Sequence, residues 1–135
     1  MFTITFFEEK FVWVAHPPET KVSLRDVTDG DAVFVSGRLM DPEFVRNVVG
    51  HYIPFTAAVA RNYSRGERGK GKNRKLLLEP KTGKMALGVL LLKLTRTDKD
   101  SLDKFEQVPN LRQKVSIPVT VGAHERHAYT FLLRE

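Results

Sequence analysis

The hydrophobic positions change period several times along the chain, and each change marks an element. Residues 2–15 alternate in period two, with Phe2, Ile4 and Phe6 before a polar break at Glu8-Glu9-Lys10, and Phe11, Trp13 and Ala15 after it. This predicts a hairpin or two short strands, ended by His16-Pro17-Pro18. Residues 19–31 are mostly polar and read as a loop. Residues 32–36 form an apolar run, predicted to be a buried strand that turns sharply at Gly37. A helix over 41–49 follows, with Asp41 as N-cap, Pro42 at the first helical position, Glu43 in the first turn and Gly50 as the closing glycine. Its Phe44, Val45, Val48 and Val49 form one apolar stripe.

The second half reads more plainly as strands. Residues 52–60 are predicted to be a strand, and Ser64 to Asn73, rich in Gly, Arg and Lys, a mobile loop. Lys75 to Glu79 is a short strand ended by Pro80, and Lys81 to Lys84 a turn. The run from Met85 to Leu94, the most apolar in the chain, is a central strand. Thr97 to Val108 is a helix opened by a capping-box-like pair, Thr97 and Asp100. Val115 to Val121 and Ala128 to Leu133 are closing strands, with Pro118 pointing to an edge or a bulge. Strands and helices do not alternate regularly. The expected fold class is therefore α+β, a small mixed, partly closed β-barrel-like sheet with two helices. We read 1–135 as a single domain, with 1–31 an N-terminal hairpin or extension and 32–133 the core.

Charge changes this picture in one place. The formal net charge is +6. Residues 61–75 hold seven basic side chains and one acid, Glu67, which leaves the rest of the chain balanced. The basicity belongs to one segment. The absence of cysteine excludes a disulfide framework, a thiolate metal site and a cysteine nucleophile. The opening stretch meets acids before any long apolar run, and no stretch has the length of a membrane span. A cytoplasmic protein with no membrane partner is the expectation.

Candidate chemistry is sparse. Gly66 to Asn73 nearly spells a P-loop, but Asn73 stands where a hydroxyl must hold magnesium, and a strand follows where a helix is required. His124 and His127 are three apart at a strand turn, without zincin spacing, and His16 and His51 are isolated. Two features remain. A strand running into a helix over Gly37 exposes backbone N–H groups able to hold a carboxylate or carbonyl oxygen. Glu106 lies four residues after Leu102, displaced only about 40° around the helix from that buried position. Such a glutamate pairs with Arg112, reaches solvent, or is desolvated with a raised pKa, which suits a general acid/base near neutral pH.

These stretches in order, Ser36-Gly37-Arg38-Leu39-Met40-Asp41-Pro42, Gly88-Val89-Leu90-Leu91, Leu102-Asp103-Lys104-Phe105-Glu106, Arg112 and Val115-Ser116-Ile117-Pro118-Val119, resemble the γ-glutamyl cyclotransferase-like superfamily over residues 32–133. Ser36 stands for the family tyrosine, Arg38 for a small hydroxyl residue, Gln107 for the glycine after the glutamate and Leu111 for an aromatic. The resemblance implies release of 5-oxoproline from a small γ-glutamyl amine or peptide, with no cofactor and no metal. It gives Glu106 the role of general acid/base and Val35, Ser36, Gly37, Arg38 and Leu39 that of a substrate cradle. Arg112 is a possible support, and Arg38 has the fork geometry to grip a carboxylate. A second function class is a non-catalytic member of the fold that binds a small molecule in the pocket, or nucleic acid through the basic 61–75 segment.

Overall fold

A computed structural model describes residues 2–7, 10–15, 32–71 and 75–133. The break expected at 16–18 and the loop expected over 19–31 lie outside the described residues. Strands β1 (Phe2–Phe7) and β2 (Lys10–Ala15) pair antiparallel as a separate two-stranded sheet. Their register sets Phe2 opposite Ala15, Ile4 opposite Trp13 and Phe6 opposite Phe11, the pairs that the period-two pattern supplies.

The remaining strands are β3 (Val33–Val35), β4 (Phe55–Arg68), β5 (Lys75–Leu91), β6 (Arg112–Val121) and β7 (His124–Leu133). They close into a barrel in the order β3-β5-β4-β6-β7. Antiparallel ladders join all neighbours except β3 and β7, which run parallel and meet at Val33 and Tyr129. The barrel is closed rather than partly closed. Helices α1 (Pro42–Val49) and α2 (Arg96–Phe105) pack together over one side of it.

The long apolar runs are explained by burial on both faces. Phe34 of β3 and Leu90 of β5 point into the barrel with Ile117 and Val119. Their neighbours Val33, Val35, Val89 and Leu91 face outward, where Leu39, Val45 of α1 and Leu102 of α2 cover them. Gly88 sits where β5 passes β3. A Cβ there would meet the Phe34 ring and the Val35 carbonyl oxygen. Gly88→Ala is therefore expected to cost about 1–3 kcal/mol through overpacking, measured by denaturant unfolding.

Three sequence expectations are corrected. The segment read as a mobile loop is in large part paired: β4 runs on through Ser64 to Arg68, matched to Lys75 to Glu79 of β5. Backbone ladders need no apolar face, so the polar composition did not prevent strand formation. Lys75–Glu79 and the later apolar run are also one strand, not two with a turn between. Asn62, at φ +67, stands opposite residues 81–84 in an irregular bulge, with the Gly83 amide donating to Asn62 Oδ1 at 3.1 Å. Pro80 stays in register with Tyr63, and Gly83 lies in that bulge instead of at a hairpin end. Finally, α2 begins one residue earlier than read, and its capping box is Thr95 with Asp98, not Thr97 with Asp100. Both pairs have the required spacing, and burial of Asp98 against His51 distinguishes them.

Candidate active site

The short β3 leaves the barrel at Ser36, and Gly37 leads into a single 3-10 turn, Arg38–Met40. Leu39, buried under α1, fixes that turn. Hydrogen bonding within the turn starts at the Met40 amide, which donates to Gly37 O at 3.0 Å, so the turn makes no use of the Arg38 and Leu39 amides. Helix α1 then starts as its local signals predict: Asp41 Oδ1 accepts from the Glu43 amide at 3.0 Å, and Gly50 closes it at φ +94.

The second wall comes from α2. Leu102 is fully buried, which presses the helix onto the outer face of β3 and β5. The helix ends at Phe105, and Glu106 is its C-cap, with its amide still donating to Leu102 O at 2.9 Å. The angular relation between the two side chains therefore holds although Glu106 lies just past the last helical residue. Gln107 takes φ +57, a conformation that glycine adopts freely. The turn that follows returns the chain to Arg112 at the start of β6.

Glu106 and Arg112 meet there, Oε2 to Nη1 at 3.1 Å, with their side chains only 16% and 14% exposed. Burial pushes the Glu106 carboxyl above its ordinary 4.5, and the Arg112 guanidinium partly offsets that rise. Both line a hollow of about 700 Å3 that Val35, Ser36, Gly37, Arg38 and Leu39 also line. That size suits a small organic ligand. The residues singled out from sequence thus come together around one space. Gln107, Leu111 and Phe105 share it, as do Thr130, Phe131, Leu77 and Leu78, four residues with no signal of a site in the sequence. Thr130 is buried and donates its hydroxyl to Phe34 O at 2.9 Å, tying β7 to β3 directly behind the turn. Only the barrel closure reveals that contact. Asp103 instead pairs with Lys114 at 3.2 Å.

His51, isolated in the sequence, is not isolated in space. Its Nε2 donates to Asp98 Oδ1 at 2.7 Å, joining the end of α1 to the start of α2. Asp98 is 2% exposed and also accepts from the Thr95 amide. Burial alone would raise its pKa, but the Thr95 backbone, the His51 ring and the Thr95 hydroxyl together hold it below the ordinary 3.8. Stability from this carboxylate is therefore full above its unfolded pKa and lost as pH falls through the lower folded value. Asp98→Asn is expected to cost about 2–3 kcal/mol near neutral pH, and the gap to wild type to narrow in acid. Thermal unfolding across pH checks this.

His124 and His127 are exposed at the start of β7, and no group of metal-ligating side chains occurs among the described residues. No helix among them is long and apolar enough to cross a membrane.

A closed five-stranded barrel, with two helices over one side and a ligand-sized hollow where β3 exits, defines the class. The chain belongs to the γ-glutamyl cyclotransferase, AIG2-like family, whose sequence model matches residues 33–135. Solved structures with this fold include an Arabidopsis thaliana protein determined in solution, at 20% identity and TM-score 0.66 over 76% of this chain and 68% of that one. A γ-glutamyl cyclotransferase matches at 15% identity and TM-score 0.66, over 78% and 67%. An AIG2-like protein of Mus musculus matches at 19% identity and TM-score 0.57, over 78% of each chain. The chain thus spans about two thirds of the first two. No curated protein matches it by sequence. At these identities the likeness carries the fold, and function must be argued from the site.

Proposed function

We propose that the protein is a γ-glutamyl cyclotransferase-like enzyme that releases 5-oxoproline from a γ-glutamyl amine or peptide, with Glu106 as general acid/base. The observation that carries this reading is the placement of a desolvated carboxyl, raised in pKa, in the same hollow as the Gly37 turn. The α-amine of the substrate attacks its own side-chain carbonyl carbon, closing a five-membered ring. Glu106, as carboxylate, takes the proton from that amine and passes it to the departing nitrogen as the old C–N bond breaks. Substrate and products balance without water, and the carboxylate is regenerated. The nucleophile belongs to the substrate, so the protein's main task is to hold a folded conformer. The turn over residues 35–39 supplies that cradle, with the Arg38 and Leu39 amides available to a substrate oxygen.

The test is 5-oxoproline release from a panel of γ-glutamyl compounds, followed by mass spectrometry. A purified, folded protein that releases none overturns the enzymatic reading. Because Glu106 must begin as carboxylate, kcat/KM should fall in acid through a limb lying above the ordinary glutamate value. Arg112→Gln removes a neighbour that lowers this pKa, so the limb should move to higher pH. A limb that stays put, or moves down, contradicts the assignment.

A further inference from the structure

The charges around the hollow do not balance. Glu106 and Arg112 neutralise one another, and among the described residues no other acid lines the space. Arg38 is left over, exposed on the 3-10 turn and in no ion pair among the described residues. A second source of positive charge comes from a different element. Leu77 and Gly71 of the β4–β5 arm line the hollow, and Lys70, directly before Gly71, is exposed. Arg65, also exposed, sits in register with Leu78 on the same arm. The segment carrying these cations, 61–75, holds the whole net charge of the chain. Arg38 thus lines the hollow itself, and the arm that supplies another of its walls carries further exposed cations.

A γ-glutamyl head arrives with one carboxylate and one ammonium, no net charge. It offers nothing to the surplus. The head must also lie deep, because Glu106 is mostly buried, whereas Arg38 is exposed at the mouth, where the departing portion would extend. Given the cyclisation proposed above, we infer that the hollow selects γ-glutamyl compounds whose departing amine is itself acidic, an amino acid or short peptide with a surplus of carboxylates, and that Arg38 is the specificity-determining cation. Arg38 takes a carboxylate of the departing portion through its planar fork, and the arm raises the local concentration of such anions.

The experiment compares kcat/KM for γ-glutamylglutamate, γ-glutamylalanine and γ-glutamylputrescine at low and high ionic strength. The acidic compound should be favoured over the basic one by about a hundredfold, with the preference shrinking as salt rises. Arg38→Gln should lower the acidic-over-neutral ratio by about tenfold, and Arg38→Lys should keep only part of it, since charge survives while the fork is lost. Equal turnover of all three compounds, or a ratio indifferent to Arg38→Gln in a folded variant, overturns the selectivity and leaves the cyclisation standing. Release from none of them overturns the cyclisation and this inference with it.

Discussion

Glu106→Gln is expected to reduce 5-oxoproline release by about a hundred- to ten-thousand-fold, the range that a positioned general acid/base contributes. Glutamine keeps the shape of the side chain and a hydrogen-bond acceptor for Arg112, so the cradle should survive. What it lacks is a site that can accept the proton of the attacking amine and return it. The loss should therefore fall on kcat, with KM little changed, because the carboxylate is asked to work in the transition state rather than to hold the ground state. A variant that keeps near wild-type kcat, with its fold verified by circular dichroism, would remove Glu106 from the reaction. Loss through KM alone would assign it to binding instead.

The largest effect on stability is expected at Leu102→Ala. Leu102 is fully buried between α2 and the outer face of the barrel, beside Val45, Val89 and Phe131. Truncation removes its transfer free energy and leaves a cavity, together about 2–5 kcal/mol. In a chain of this size the thermal midpoint should fall on the order of 10 °C. Activity should fall as well, even where the variant is folded, because Glu106 takes its position from the last turn of α2 through the bond to Leu102 O. A Leu102→Ala protein as stable as wild type would mean that α2 is held elsewhere, with the His51–Asp98 link the first place to look.

What was legible in the sequence was short-range. Helix α1 could be read to within a residue because Asp41, Pro42 and Gly50 each act on their own backbone. Glu106 could be read against Leu102 because four residues in a helix fix their relative angle, and the C-cap geometry preserves it. The strands β1 and β2 followed from alternation, whereas their register is seen only in the structure. The arm was misread for a physical reason: Ser64 to Arg68 pair through their backbone with Lys75 to Glu79, and composition reports only on side chains. The capping box was misread because Thr95-x-x-Asp98 and Thr97-x-x-Asp100 are equivalent locally. Burial of Asp98 against His51 separates them, a contact across 47 residues.

The sequence by itself determined the local elements, the strand–Gly37–helix joint, a glutamate one turn beyond a buried leucine, and a charge excess confined to one segment. Only the tertiary structure decided that these meet. Closing β3 onto β7 sets Thr130 behind the turn, packing α2 over β3 and β5 brings Glu106 and Arg112 into the same hollow, and the long β4–β5 arm supplies another wall. The reason is the range of the forces. Caps, turns and periodicity act within a few residues, whereas desolvation of a carboxyl depends on everything that surrounds it, and most of what surrounds Glu106 comes from distant parts of the chain.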